Sequence, residues 1–510
     1  MRQHTTRRRF IRSVAGGGLA LGAMPGGLFS SLGSVSAADA RLAPDVVQFD
    51  PEIEPLVRLL EDTPRERLLE EVAARIRGGT SYREVLAALL LAGVRNVQPR
   101  PNVGFKFHAV LVVNSAHLAS LDSPAEDRWL PIFWALDYFK SAQARDVREN
   151  DWTMQPVDES AVPSAQRAAV DFQSAMDAWD PQAVDPAVAG LARHASMQQT
   201  FEHFYRYGAR DFRDIGHKII FVANSRRTLE CIGWQHAEPV LRSLAYALVN
   251  YQGANPSTAD AEPDRPWRLN QELAANLPEN WFGGEPDDAA GGELLAELRT
   301  GSYEDACRLA ATLLARGVAP QSIWNAVFAG AGELLMRSPG IVALHAVTSA
   351  NAIHYAYQAS GDDLTRRLLL LQAVAFPPLF RQALRQRGST LADHQIDALQ
   401  PVALDSSGAD GVDEVFATVS EDRALAASKA LALLQAHNDA RPLVESARRL
   451  IFAKGTDSHD YKFSSAVLED YRHLSAPWGR RFLAASMFQL RGSGDRDNSL
   501  VDRARAALAS

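Results

Sequence analysis

The sequence predicts an all-α protein of two internally duplicated multi-helix halves packed around a shared histidine-rich centre. Apolar residues recur at three- and four-residue spacing along almost the whole chain, and no stretch alternates with the period of two that a strand requires. The pattern H-A-V-x3-N-x2-H occurs twice, from His108 to His117 and from His345 to His354. Because histidine is scarce, with 13 copies in 510 residues, two such patterns indicate an internal repeat.

The first 40 residues are predicted to be an export signal rather than part of the fold. Residues 6–12 match the S/T-R-R-x-F-[LI]-[KR] pattern of twin-arginine signals, and a weakly apolar stretch and an alanine-rich run follow. A membrane anchor would need about 18 or more strongly apolar residues, which this stretch lacks. We therefore expect a periplasmic or secreted protein, carried by the twin-arginine machinery and cleaved after Ala37 or Ala40.

Charge and cysteine content narrow the class of protein. Removal of the signal takes away five Arg and one Asp, so the net charge moves from −8 to about −12. An acidic chain argues against binding to nucleic acid or to an anionic membrane. Cys231 and Cys307 are the only cysteines, and we expect two separate buried thiols rather than one bridge.

The first half, residues 41–251, is predicted to begin with helices over 56–77, 82–95, 105–121 and 128–144. Residues 145–186 contain four prolines and are predicted to be loop-rich around one short helix. The remaining helices, over 188–251, include one that contains Asp214, His217 and Phe221. Residues 252–292 are rich in Pro, Gly, Asn and Asp and are predicted to be a surface linker.

The second half, residues 293–510, repeats this order. Helices are predicted over 305–316 and 322–336, then over the second copy of the pattern, and an Arg/Leu-rich helix follows. A loop over 388–412 precedes the closing helices of 422–491. In both halves a later histidine follows at a similar interval, 109 residues from His108 to His217 and 114 from His345 to His459.

These four histidines are the candidate metal ligands. A pseudo-twofold axis would bring His108, His217, His345 and His459 together, and imidazoles from facing helices can bind one metal ion. The alternative is that each is a core histidine bonded to a backbone carbonyl.

The other members of the pattern lie elsewhere on the helix. Nine helical residues turn through about 900°, so His117 and His354 face away from the histidines that open the pattern. They share a face with Asn114 and Asn351. We expect these four residues to support the site or, as the favoured interpretation for the two histidines, to serve in packing.

The end of the second half carries the motif D-x-H-x-x-K, formed by Asp457, His459 and Lys462. Asp457 is close enough in sequence to orient the His459 ring, as carboxylates beside metal ligands do. A lysine facing a metal is repelled unless burial lowers its pKa or CO2 converts it to a carbamate. On spacing alone, a surface lysine is the favoured interpretation of Lys462. The first half has Ile220 at the corresponding place.

Three stretches resemble the recurring motifs of the questin oxidase-like family. They are Phe107-His108-Ala109-Val110, His345-Ala346-Val347-Thr348-Ser349 and the D-x-H-x-x-K motif. The resemblance implies an all-helical oxygenase that opens the quinone ring of anthraquinone-type polyketides, with a histidine-rich iron site that can include a carbamylated lysine. It makes His108, His345 and His459 iron ligands and Lys462 the modified residue. His217 departs from the motif, because it stands in Gly216-His217-Lys218.

The functional prediction is therefore an exported, Fe(II)-dependent oxygenase that uses O2 on an aromatic or quinone-like small molecule. Trp134 and Tyr138 are candidates for lining its pocket, and neither nucleic acid nor a membrane span is expected. One alternative is a non-catalytic exported helical protein that binds a ligand or partner and whose histidines are structural. Another is a zinc hydrolase, although the chain has no H-E-x-x-H motif.

Overall fold

The structure, a computed structural model, describes residues 49, 52–99, 107–249, 254–437 and 439–509. Within these residues it contains 22 α-helices and no β-strand, so the all-α prediction is confirmed. The described residues belong to one compact unit, Asp45–Ser510. The predicted twin-arginine signal, residues 1–40, lies outside them. None of the described helices is both long enough and apolar enough to cross a membrane.

Eleven helices lie between residues 54 and 276. They are α1 (Glu54–Asp62), α2 (Arg65–Arg77), α3 (Tyr82–Asn96), α4 (His108–Leu121), α5 (Leu130–Glu149), α6 (Ala168–Ala178), α7 (Pro181–His194), α8 (Met197–Ala209), α9 (His217–Ile232), α10 (Ala237–Val249) and α11 (Arg265–Asn276). The single helix predicted over 56–77 is two helices, because Pro64 disfavours helical backbone at Thr63, which is extended. The predicted linker 252–292 contains α11, whose Pro266 stands in the first turn, where a missing N–H is tolerated.

Eleven further helices follow. They are α12 (Asp288–Thr300), α13 (Tyr303–Ala315), α14 (Pro320–Arg337), α15 (Ile341–Ala359), α16 (Asp363–Gln386), α17 (Gly408–Val419), α18 (Arg423–Ala436), α19 (Arg441–Lys454), α20 (Ser458–Asp470), α21 (Ala476–Ala485) and α22 (Leu500–Ala509). The prolines of α16, Pro377 and Pro378, lie inside a helix that continues to Gln386. The loop predicted over 388–412 ends earlier, since α17 begins at Gly408.

The two sets of eleven helices pack in the same order. Helices α3, α4 and α5 contact one another, and so do α14, α15 and α16. Likewise α1 packs against α3 as α12 packs against α14, and α6 packs against α7 as α17 packs against α18. This correspondence is the one that an internal duplication produces.

The last helix of each set packs against the other set. Helix α11 contacts α13 and α16, whereas α22 contacts α2 and α5. Polar contacts accompany both placements: Asn270 of α11 donates to Gln372 of α16 at 2.9 Å, and Arg503 of α22 pairs with Glu70 of α2 at 3.2 Å. Because α2 and α5 correspond to α13 and α16, the two sets exchange their final helices reciprocally.

Helices α4, α9, α15 and α20 form the centre of the molecule. Each packs against two of the others, in the closed order α4, α9, α15, α20. Every residue of α4 from His108 to His117 is buried, and so is nearly all of α15. A helix that is buried on every side is a core helix. The four predicted histidine ligands all lie on these four helices.

The two cysteines stay separate. Cys231 lies in α9, half-buried, and Cys307 lies in α13, fully buried, and both are free thiols. Burial raises the pKa of both thiols, to about 12 for Cys307. The prediction of two separate thiols is confirmed.

Candidate metal centre

The four predicted ligands lie near the N-termini of the central helices. His108 and His217 are the first residues of α4 and α9, His459 is the second residue of α20, and His345 is the fifth of α15. Each side chain is buried, with a residue exposure of at most 5%. The positive end of a helix disfavours a protonated imidazole in the first turn. This effect favours the neutral ring of His217, whose pKa burial also lowers, and the neutral imidazole is the form that binds metals.

The four imidazoles are arranged as a closed ring of four neighbours, in the same order as their helices. Ring centroids are 5.1 Å apart for His108 and His217, 4.3 Å for His217 and His345, 5.3 Å for His345 and His459, and 4.9 Å for His459 and His108. Corresponding histidines of the two halves lie across this ring from each other. Ligand atoms of His108, His217 and His345 all lie within 4.8 Å of one another. The predicted histidine-rich centre is confirmed for this group of three.

Backbone carbonyls fix the orientation of two of the rings. Nδ1 of His217 lies 2.6 Å from the carbonyl oxygen of Asp214, and Nδ1 of His345 lies 2.6 Å from that of Ile341. A carbonyl can only accept, so each Nδ1 carries the proton and each Nε2 keeps a lone pair. The two Nε2 atoms are 2.9 Å apart. Burial lowers the pKa of both imidazoles well below the usual value, which favours the neutral rings whose lone pairs can bind a metal ion.

Two separations between imidazole nitrogen atoms match those in a metal coordination shell, 3.2 Å for His108 and His217 and 2.9 Å for His217 and His345. Imidazole nitrogen binds a metal such as zinc at about 2.0–2.1 Å, so two nitrogens on one ion lie roughly 2.9–3.4 Å apart at angles of roughly 90–109°. The Nε2 atoms of His108 and His217 are 3.2 Å apart, and Nζ of Lys462 is 3.4 Å from Nε2 of His345. The buried group can therefore bind a metal ion, and imidazole ligands suit zinc, copper, iron and nickel.

One amine and two carboxyl groups border the histidines. The amine is that of Lys462, which is 3% exposed, so its interpretation as a surface lysine is wrong. Burial lowers the pKa of Lys462 to about 7, although the charges of Asp214 and Asp457 raise it. Burial also raises the pKa of Asp214 to about 7, although Lys218 and Lys462 lower it. Burial also raises the pKa of Asp457, but hydrogen bonds from the side chain and backbone of His459 leave that pKa below the usual value. The Oδ1 of Asp457 lies 3.3 Å from Nδ1 of His459.

A turn with left-handed backbone, residues 214–216, directly precedes His217 and fixes its position. Asp214, Ile215 and Gly216 have φ angles of 58°, 46° and 81°. Residues other than glycine are strained in this conformation by about 1–3 kcal/mol each, and such strain is concentrated at functional sites. The sequence predicted one helix containing both Asp214 and His217. Helix α9 instead begins at His217, and the turn directs the Asp214 carbonyl back to the imidazole, while Oδ2 of Asp214 has no hydrogen-bond partner among the described residues.

The assignment of function depends on this site rather than on relatives. Comparisons with known protein families, curated proteins and solved structures find no match. The resemblance to the questin oxidase-like family stays a prediction from three short motifs. The group of His108, His217 and His345, which could hold a metal ion, stands independently of that resemblance.

The asparagines of the repeated pattern bond to other polar side chains. Asn114 donates from Nδ2 to Oδ1 of Asn224 at 3.3 Å. Asn351 donates to Asp470 at 2.7 Å and to Glu469 at 2.9 Å. Both asparagines stand six residues beyond the opening histidine, so these contacts form a separate polar layer further along the central helices. No sequence spacing pairs these residues, which lie on different helices.

The closing histidines contact aromatic and hydroxyl groups. Nδ1 of His117 lies 2.9 Å from the hydroxyl oxygen of Tyr82. The ring of His354 lies 4.6 Å from that of Trp324 and 4.8 Å from that of His473, measured between centroids. Such contacts are typical of packing residues. This agrees with the interpretation of His117 and His354 that their position on the helix favours.

Trp134 and Tyr138 lie beside the start of α20. The Trp134 ring stacks on Tyr138 at 5.1 Å and on Tyr461 at 4.2 Å. The Tyr138 hydroxyl donates to Oγ of Ser458 at 3.5 Å. The three stacked rings therefore lie against the helix that carries His459.

Sequence reasoning missed a buried ionic cluster directly before α9. Lys218 donates to Asp211 at 2.7 Å, and Arg213 donates to Asp264 at 2.7 Å through its second guanidinium nitrogen. All four residues are buried. The left-handed turn lies between Asp211 and Lys218, so no helical spacing pairs them in the sequence.

Replacement of His354 by phenylalanine is expected to reduce the acid sensitivity of the protein. Burial lowers the pKa of His354 from 6.5 to about 3, so between these values the unfolded state binds a proton that the folded state does not. Wild-type stability therefore falls as pH drops below 6.5, by about 2 kcal/mol from this one group between pH 7 and pH 5. Urea unfolding at both pH values measures the difference. The same substitution at the exposed His194 should keep the wild-type pH dependence, and an unchanged dependence in His354→Phe would contradict the prediction.

Proposed function

We propose that this chain is an exported, non-haem Fe(II) oxygenase that uses O2 on an aromatic or quinone-like small molecule. The observation that carries the proposal is the convergence of imidazole Nε2 atoms from facing helices on one buried point. Carbonyl partners hold the Nδ1 protons of His217 and His345, so the lone pairs point inward without rearrangement. Ligands preorganised in this way are the protein's contribution to metal catalysis.

We assign His108, His217, His345 and His459 as the residues that would hold the iron. Bound Fe(II) would supply the electrons that activate O2. Lys462, whose Nζ lies 3.4 Å from Nε2 of His345, would supply an anionic oxygen if carbamylated. A negative ligand suits this site, because three of the four histidines stand at the positive ends of helices. Asp457 would hold the His459 ring in place.

The surroundings of the centre fit chemistry that must exclude water. The central helices bury nearly all of their side chains, and an apolar environment strengthens electrostatic interactions and prevents side reactions. Trp134 and Tyr461 are buried in their stack beside α20, whereas Tyr138 is half-buried. A flat aromatic or quinone-like substrate can pack against the ring of Tyr138.

The twin-arginine pattern of residues 6–12 supports the export part of the proposal. This route carries folded proteins, so iron loaded before export avoids competition from copper and zinc, which bind most nitrogen and oxygen sites more tightly. The protein would then act in the periplasm or outside the cell.

The proposal is tested by the metal content and O2 consumption of protein prepared without air. We expect about one iron per chain, O2 consumption with a quinone-like substrate, and loss of both in His345→Ala, because two neighbouring nitrogen atoms lose their partner. The exposed His194→Ala is the control and should keep its iron. Circular dichroism and thermal unfolding establish that each variant is folded.

Three outcomes would contradict the proposal. Iron retained in folded His345→Ala would remove the assigned ligand set. Zinc without O2 consumption would point to a hydrolase, and no bound metal would leave a non-catalytic exported helical protein whose histidines serve only in packing.

A further inference from the structure

A second site lies at the surface, where α6, α8, α11 and α16 meet. The cleft between these helices has a volume of about 630 Å³, which is within the range of small-molecule sites. Three arginines line it, Arg206, Arg210 and Arg268, against one acidic residue, Asp177. The lining is thus cationic in a chain whose net charge is −8.

Arg210 is the buried arginine of this lining, with a side-chain exposure of 6%. Its Nη1 donates to Oγ of Ser257 at 3.2 Å and its Nη2 donates to the Met176 carbonyl at 3.4 Å. Its Nε has no hydrogen-bond partner among the described residues. A carboxylate oxygen of Asp177 lies 3.6 Å away, on a side chain that is 61% exposed. Each Nη atom carries a second N–H, and Arg210 lines the cleft, so an anion that enters the cleft can accept hydrogen bonds from these donors.

The other two arginines are held at the rim by carboxylates outside the lining. Arg206 pairs with Asp362 at 2.6 Å, and Arg268 pairs with Asp260 at 2.7 Å. Both arginine side chains are about two-fifths exposed, so solvent screens their charge. We therefore expect Arg210 to contribute most to anion binding, and the rim arginines to contribute less.

Apolar and aromatic side chains complete the cleft. Trp267 and Tyr207 lie in the lining together with Leu364 and Leu368. The Tyr207 ring lies 4.9 Å from the guanidinium carbon of Arg210, so an aromatic face and the buried charge are adjacent. A ligand with a flat apolar body and one negative group satisfies both features.

We propose that this cleft binds a small organic anion, a carboxylate carried on a flat apolar body. The carboxylate accepts hydrogen bonds from Arg210, and the body packs against Trp267 and the two leucines. The site is formed without the histidine centre, so it does not depend on the proposed oxygenase function.

Isothermal titration calorimetry of the purified protein with benzoate tests the proposal, with benzamide as the uncharged probe of the same shape. We expect one benzoate per chain and at least about tenfold weaker binding of benzamide, because a hydrogen bond to a charged group contributes about 1.5–3 kcal/mol. Arg210→Gln should weaken benzoate binding about tenfold or more. Arg67→Gln, which removes an exposed arginine paired with Glu71, is the matched control and should bind as wild type does.

If Arg210→Gln does not fold, the benzoate affinity of Arg268→Gln tests the proposal instead. We expect this affinity to fall about threefold, because Arg268 is a rim charge. Equal affinity for benzoate and benzamide would overturn the proposal. So would wild-type affinity in folded Arg210→Gln, or the absence of saturable benzoate binding. Iron content plays no part in these outcomes, so they are separate from the test of the oxygenase.

Discussion

A Gly216→Ala variant is expected to lose about 2–4 kcal/mol of unfolding free energy, together with most of the metal affinity proposed for the histidine centre. Gly216 has a φ of 81°, and a Cβ there would lie 2.6 Å from Cβ of Ser349. Ser349 is on α15, one turn beyond His345, so the added methyl must push α9 away from α15. The Nε2 atoms of His217 and His345, now 2.9 Å apart, would separate. Loss of such positioning lowers metal affinity about 10- to 100-fold.

Two further variants separate the clash from the backbone strain. Gly317 has a φ of 87° and open space where its Cβ would lie, so Gly317→Ala should show only the strain, about 1 kcal/mol, and keep its metal. Adding Ser349→Gly to Gly216→Ala removes the opposing Cβ and should restore much of the metal binding. Urea unfolding and metal titration measure both effects. Equal behaviour of Gly216→Ala and Gly317→Ala would show that the close approach of the helices is unimportant.

An Asp211→Ala variant is expected to lose about 3–5 kcal/mol of unfolding free energy, the usual result of breaking a buried ion pair from one side. Asp211 is 1% exposed, and its carboxylate accepts from Nζ of Lys218 at 2.7 Å and from the backbone N–H of Arg213 at 3.0 Å. The substitution leaves the buried Lys218 ammonium without this carboxylate. The desolvation of that charge then loses its largest compensation, and the destabilisation follows.

The double variant Asp211→Ala/Lys218→Met should recover a large part of this loss, because both buried charges are removed together. Glu71→Ala, which breaks the exposed pair between Arg67 and Glu71, should cost about 0.5 kcal/mol or less. Chemical denaturation measures the unfolding free energies of Asp211→Ala, of the double variant and of Glu71→Ala. If the double variant were no more stable than Asp211→Ala, the pairing of Asp211 with Lys218 would not explain the loss.

Much of the helical architecture could be predicted because apolar spacing directly reports which face of a helix is buried. The patterns around His108 and His345 also predicted the repeat, since corresponding positions keep similar intervals. Helix α11 could not be predicted in the same way, because residues 252–292 have the composition of a linker. Its burial comes from contact with α13 and α16, which are distant in sequence.

The histidine-rich centre could be predicted from the repeat, since two similar halves bring corresponding residues to one axis. The turn from Asp214 to Gly216 could not, because a left-handed conformation at Asp214 and Ile215 contradicts the preference of those residue types. The partners of Asn114 and Asn351 also escaped prediction. They lie on other helices, and the choice among many polar residues is made only by packing.

The reciprocal placement of α11 and α22 is the contact pattern of a domain-swapped dimer contained in one polypeptide. In a symmetric dimer, any substitution beside the dyad occurs twice. Within a single chain the copies can diverge, and here Lys462 stands beside the imidazoles where the first copy has Ile220. A single chain that contains both copies can therefore have one amine at its centre instead of two. Two ammonium groups there would repel each other.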